Sequence, residues 1–130
     1  MIKFILTIQL FLWIGISTIH AQWMRLELIS IHCIKTEGQV FNDNIYIKVN
    51  GDKVWQSTMA AGQKKSLRNV GSKSFKGTIK IEVWDDDTFD PDDHIGTFEA
   101  ELIDIGKERT QPLKYGTADY KLTYKVVLDY

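Results

Sequence analysis

The chain holds one cysteine, Cys33, in 130 residues, so no disulfide can close within it. The thiol reads either as a buried free group or as half of an intermolecular bridge. Charge of one sign is also lacking. Sixteen Lys and Arg stand against seventeen Asp and Glu, for a net charge of −1, and that near-balance argues against bulk nucleic-acid binding. There is no internal repeat and no linker. Gly-x-Ser-x-Gly elbows, phosphate-cradling glycine loops and Cys/His zinc spacings are missing. Beyond residue 21 the histidines are His32, in a strand-like segment, and His94, in an expected loop. An enzyme is therefore not expected. A long apolar run occurs at the start only, from Phe4 to Ile16, with Lys3 before it and small or polar residues after it up to Ala21. It is interrupted by Gln9 and short for a membrane span of about 20 residues. A basic, apolar and then small-residue order describes a secretory leader. The expectation is a removable leader over 1–21 and one domain over 22–130, secreted to the extracellular space, or to the periplasm of a bacterium.

What remains after residue 22 lacks a sustained helical period and shows two-residue alternation instead. Ile45, Ile47 and Val49 alternate with Tyr46 and Lys48, and Asn50-Gly51 follows as a hairpin signal before Val54-Trp55. Ile79, Ile81 and Val83 share one face; Tyr120, Leu122, Tyr124, Val126 and Leu128 share another; Phe98, Ala100 and Leu102 suggest a further strand. In residues 24–34 the apolar phase switches between Leu28 and Ile29, which a bulge or burial on both faces would explain. Short strands with glycine-marked gaps predict an all-β, antiparallel β-sandwich of seven or eight strands with Greek-key connections.

Six aspartates crowd positions 85 to 93. At ~4 Å and an effective dielectric of ~20, each like-charged pair costs about 4 kcal/mol before screening. Either the carboxylates splay into solvent or a cation sits among them. Ca²⁺ accepts six to eight hard oxygen ligands in flexible geometry, so a calcium loop is the first expectation. An EF-hand starting at Asp85 fails, because Asp90 stands at its glycine position and Gly96 at its bidentate glutamate. Asp85 and Asp87 alternate onto one side of an extended segment, whereas Asp86 and Asp92 alternate away.

The segment Val83-Trp84-Asp85-x-Asp87, with Asp93 and then Ile95-Gly96, resembles the third calcium-binding loop of a C2 domain. Phe89 falls where membrane-binding members often carry an apolar residue, and Asp90 where a further oxygen is often supplied. The stretch Asp43-Asn44-Ile45-Tyr46-Ile47-Lys48-Val49 is similar to the strand after the family's first loop. Its usual proline is absent, and Asp43 stands three residues before the tyrosine rather than two. Glu37 is the candidate for the other first-loop acid. The second loop, between Trp55 and Ile79, cannot be aligned.

The resemblance implies a C2-like domain whose metal ligands come from Asp43, Asp85, Asp87, Asp90, Asp93 and Glu37 and whose cofactor is Ca²⁺, held as one ion. Its implied partner is an anionic phospholipid membrane surface, met by a monomer through Phe89, Phe41 and Val40. An unidentified protein is the other possible partner, with a calcium-independent interaction or structural module as the alternative function. Lys64, Lys65, Arg68, Lys73 and Lys76 read as a solvated basic face or as a second attraction to anionic lipid.

Overall fold

The computed structural model describes residues 22–38 and 41–130; the expected leader and Val40 lie outside them. The described chain forms nine strands: β1 (Met24–Lys35), β2 (Asp43–Val49), β3 (Asp52–Met59), β4 (Lys64–Ser66), β5 (Lys73–Phe75), β6 (Ile79–Asp85), β7 (Asp93–Ala100), β8 (Glu108–Tyr115) and β9 (Ala118–Leu128). One sheet has the order β4-β1-β9-β8, with β5 continuing beside β1; the other has the order β3-β2-β6-β7. All pairings of these strands are antiparallel. The neighbours β1/β9 and β2/β6 are distant in sequence, so the chain crosses between sheets as a Greek key does.

The alternating residues form the core. Ile45, Ile47, Ile79, Ile81, Val83, Tyr120, Leu122 and Val126 are buried between the sheets. The phase switch in β1 is a bulge: Leu28 pairs Tyr124 while Ser30 pairs Thr123, leaving Ile29 as the extra residue. The freed Ile29 carbonyl accepts the Leu67 N–H at 2.8 Å. Burial resumes at Ile31 and Cys33. Cys33 is a free thiol with no exposure, which removes the intermolecular bridge as a reading.

The count exceeds seven or eight because β4 and β5 are three residues each, too short to show alternation. β8 is an edge strand paired to β9 alone; it contains Pro112, and Leu113 is its one buried residue. An edge tolerates both proline and a polar pattern. The expected strand around Phe98 starts earlier, at Asp93, and stops at Ala100. A register shift leaves Ile95 unpaired between Trp84↔His94 and Val83↔Gly96, which hides the alternation. Leu102 lies instead in a 3-10 turn held by a capping box between Glu101 and Asp104.

The ends of β1 and β6 and the starts of β2 and β7 converge at one end of the sandwich, so the described residues 36–38 and 41–42 lie beside the loop of residues 86–92. Gly96 sits where β7 nears β8: a Cβ there would lie 2.6 Å from Leu113 Cδ2. That contact explains the glycine after Ile95.

Candidate metal centre

The hairpin of β6 and β7 closes on Asp85 opposite Asp93, so the fold itself sets two carboxylates side by side. Like charges directly across a strand pair are destabilising. Asp87 joins them from the loop beyond β6, and Glu37 from the loop after β1. One carboxylate oxygen from each of Glu37, Asp85, Asp87 and Asp93 lies within 4.8 Å of the others. They line an open cleft of about 540 Å³ together with Asp43, Asp90, Phe41 and Asn42.

Burial and mutual repulsion hold Glu37, Asp43, Asp85 and Asp87 back from ionising. Glu37 is pushed up to about 7, first by burial and then by its hydrogen bond with Asp93 and the charges of Asp93, Asp85 and Asp87. Asp85, buried, is raised to about 6 by burial and by Asp43, Asp87 and Asp93, against the opposing pull of the Asn44 N–H at 2.9 Å. Asp87 rises to about 6, chiefly through its hydrogen bond with Asp93. Asp43 is raised by burial, although three hydrogen bonds offset part of the rise. The arrangement stores electrostatic energy that a cation would release.

Asp43 sits at the floor of the cleft. Its carboxylate accepts the buried Tyr120 hydroxyl from β9, and the Glu37 N–H at 3.1 and 3.2 Å. Asp90 stands exposed at the rim. Asp86 and Asp92 lie outside the clustered four, as the alternation predicts. Asp86 accepts Gln56 Nε2 at 3.3 Å, and Asp92 accepts the Tyr46 hydroxyl at 2.5 Å. Phe41 is 81% exposed and Phe89 96%, so neither is packed beneath its loop. The basic residues of the middle segment are strung along the β1 edge, from Lys64 opposite His32 to Lys73 opposite Leu26, away from the cleft.

Sequence reasoning missed a cluster on the outer face of the second sheet. Tyr46 stacks parallel to Trp84 at 6.4 Å, and Trp84 meets His94 at 4.6 Å. Lys53 lies 4.2 Å from the Tyr46 ring centre, and Lys48 lies 5.9 Å from both Tyr46 and Trp84. The usable signal was the alternation that puts Tyr46, Lys48 and Trp84 opposite the core face.

No family model matches the chain, and no curated protein is similar to it in sequence. Solved structures are similar to it in shape. A structure described as a C2 domain superposes with a TM-score of 0.57 at 20% identity, covering 84% of this chain and 99% of that one. The fold is that of a C2 domain. Two other C2-fold neighbours agree. The calcium-bound pair of C2 domains of extended synaptotagmin 2 gives 0.55 at 17% identity over 82% of this chain, which spans 45% of that two-domain fragment. A C2 domain of a plant extended synaptotagmin 1 gives 0.53 at 12% identity, covering 83% of this chain and 94% of that one.

The residues present fit a calcium ion. The donor set of this C2-fold chain consists of carboxylates alone, hard anionic oxygens from the facing ends of β6 and β7 and from two loops. Ca²⁺ tolerates the irregular geometry that two loops offer, whereas Mg²⁺ demands a near-ideal octahedron.

Proposed function

We propose that this chain is a secreted, monomeric C2-fold module that takes up a single Ca²⁺ ion between its two acidic loops and thereby docks on anionic phospholipid. Glu37, Asp85, Asp87 and Asp93 would hold the ion, with Asp43 beneath them and Asp90 at the rim. One observation carries the reading: four carboxylates, from the facing ends of β6 and β7 and the two loops beside them, meet in one cleft, and those loops carry the exposed Phe41 and Phe89. Without a cation the acidic end repels an anionic bilayer. When bound, the ion supplies the positive charge that a headgroup phosphate needs. Phe41 and Phe89 then enter the interfacial region, where burying one aromatic ring is worth about 1.5–3 kcal/mol. Lys53, whose ammonium lies 4.2 Å from the Tyr46 ring centre, adds positive charge on the outer face of the second sheet. The module binds and catalyses nothing in this reading. A neighbouring structure that is calcium-bound supports the choice of ion.

Sedimentation with phosphatidylserine vesicles tests it. The full chain should pellet with the vesicles in calcium and stay in solution in chelator, and Asp85→Asn combined with Asp87→Asn should abolish pelleting. Equal pelleting with and without calcium would refute the proposal and favour a calcium-independent module.

A further inference from the structure

Two of the four clustered acids are held by strands, and two are not. Asp85 ends β6, and Asp93 begins β7 directly opposite it. Glu37 and Asp87 lie in loops, where ladder pairing does not place them. Each of these two has its backbone N–H bonded by another aspartate, and each such aspartate is gripped by a tyrosine hydroxyl from elsewhere in the fold. In loop one the Glu37 N–H donates to Asp43, which accepts the hydroxyl of Tyr120. Tyr120 belongs to β9 in the opposite sheet and is wholly buried, so its hydroxyl crosses the space between the sheets. In loop three the Asp87 N–H donates to Asp92 Oδ1 at 3.3 Å, and Asp92 Oδ2 accepts the Tyr46 hydroxyl at 2.5 Å. Tyr46 is itself fixed by its stack on Trp84 and by Lys53 over its ring.

Resting on the calcium reading above, we infer that Tyr120 and Tyr46 are positioning residues for the cation centre: each, through Asp43 or Asp92, fixes the loop-borne ligand Glu37 or Asp87. The physical need is clear. Four carboxylates in a shared cleft repel one another, and a loop free to move would swing its acid outward. Anchoring the backbone one bond from the ligand side chain opposes that motion. The anchor also occupies the lone pairs of Asp43 and Asp92 with protein donors. Burial of Asp85 points the same way: it is 5% exposed, and among the described residues its donor is the single Asn44 N–H. A ligand oxygen is thus left facing the open cleft.

Calcium titration calorimetry on the full chain, paired with melting in chelator, tests the inference. Tyr46→Phe and Asp92→Asn should each weaken calcium affinity about tenfold, the scale on which outer partners of metal ligands act. The double variant should be no weaker than Asp92→Asn alone, because both remove one brace. Tyr120→Phe should weaken affinity similarly, and its effect should multiply with that of Tyr46→Phe. Asp52→Asn, beside the Asn50-Gly51 turn at the far end of the sheet, removes one negative charge outside both braces and the cleft and should change affinity less than threefold. A purely structural role would lower the chelator melting temperature and leave the affinity unchanged; that result, with wild type binding calcium, would overturn the inference alone. A wild-type chain that takes up no calcium would overturn the calcium reading and the inference with it. Tyr46 and Asp92 lie outside the core between the sheets, so they decide the matter even where Tyr120→Phe lowers the yield of folded protein.

Discussion

Two antiparallel hairpins share the second sheet and close in opposite ways. The β2–β3 turn is two residues, Asn50 at φ 48° and Gly51 at φ 86°, and it closes by its own backbone conformation. The Asn50 side chain also accepts the Lys80 N–H at 2.9 Å, tying the turn to β6. The β6–β7 connection runs through residues 86–92, carries an excess of like charge, and leans on Tyr46, Gln56 and Asn44. A turn whose task is to reverse the chain uses local stereochemistry. A loop whose task is to gather carboxylates opposes folding locally and depends on groups far away in sequence. Calcium should change the second and leave the first untouched.

The largest expected effect is the stabilisation itself. At a calcium concentration a hundredfold above the dissociation constant, folding gains about 2.7 kcal/mol. Melting with and without the ion measures it, and a gain that survives Asp85→Asn with Asp87→Asn would place the ion elsewhere. Phe89→Ala comes next. It should weaken vesicle binding by about 1.5–3 kcal/mol while stability shifts by no more than ~0.5 kcal/mol, as at other exposed positions. Gly51→Val inverts that outcome. It should cost about 1–2 kcal/mol of stability, because a left-handed residue with a Cβ is strained, and denaturant melts should register the loss with calcium affinity intact.

A further effect is a drift with pH. Glu37 is raised from 4.5 to about 7, and Asp85 and Asp87 from 3.8 to about 6. These groups hold protons more tightly when folded than when unfolded. Calcium-free stability should therefore rise as pH falls from about 7 towards 4.5 and be lost as pH rises through the same window. Calcium requires the ionised forms, so its affinity should run the other way, weaker at about pH 5.5 than at about pH 7.5. Melts and titrations across that range check both signs.

Much of this was legible in the chain. The periods of β2, β6 and β9 predict both sheets and the core, Asn50-Gly51 marks its turn, and the offsets of Asp85, Asp87 and Asp93 mark loop three. β4 and β5 were hidden by brevity, and β8 by an edge that needs no apolar face. The start of β7 was hidden by the unpaired Ile95. The braces were illegible for another reason. Tyr120 reads as one more inward residue of β9, and nothing local announces that its hydroxyl meets Asp43, 77 positions away. Glu37 was a loose candidate because its place depends on how loop one is tied, which spacing does not report.

Cys33 lies fully covered next to the strand that carries Tyr120, and it is the chain's sole thiol. A thiol reagent reaches it when the sandwich parts, so the rate of alkylation becomes a built-in clock for opening at the acidic end. Slower labelling on adding calcium would reveal how far the ion's grip extends into the interior, with no dye, tag or engineered residue.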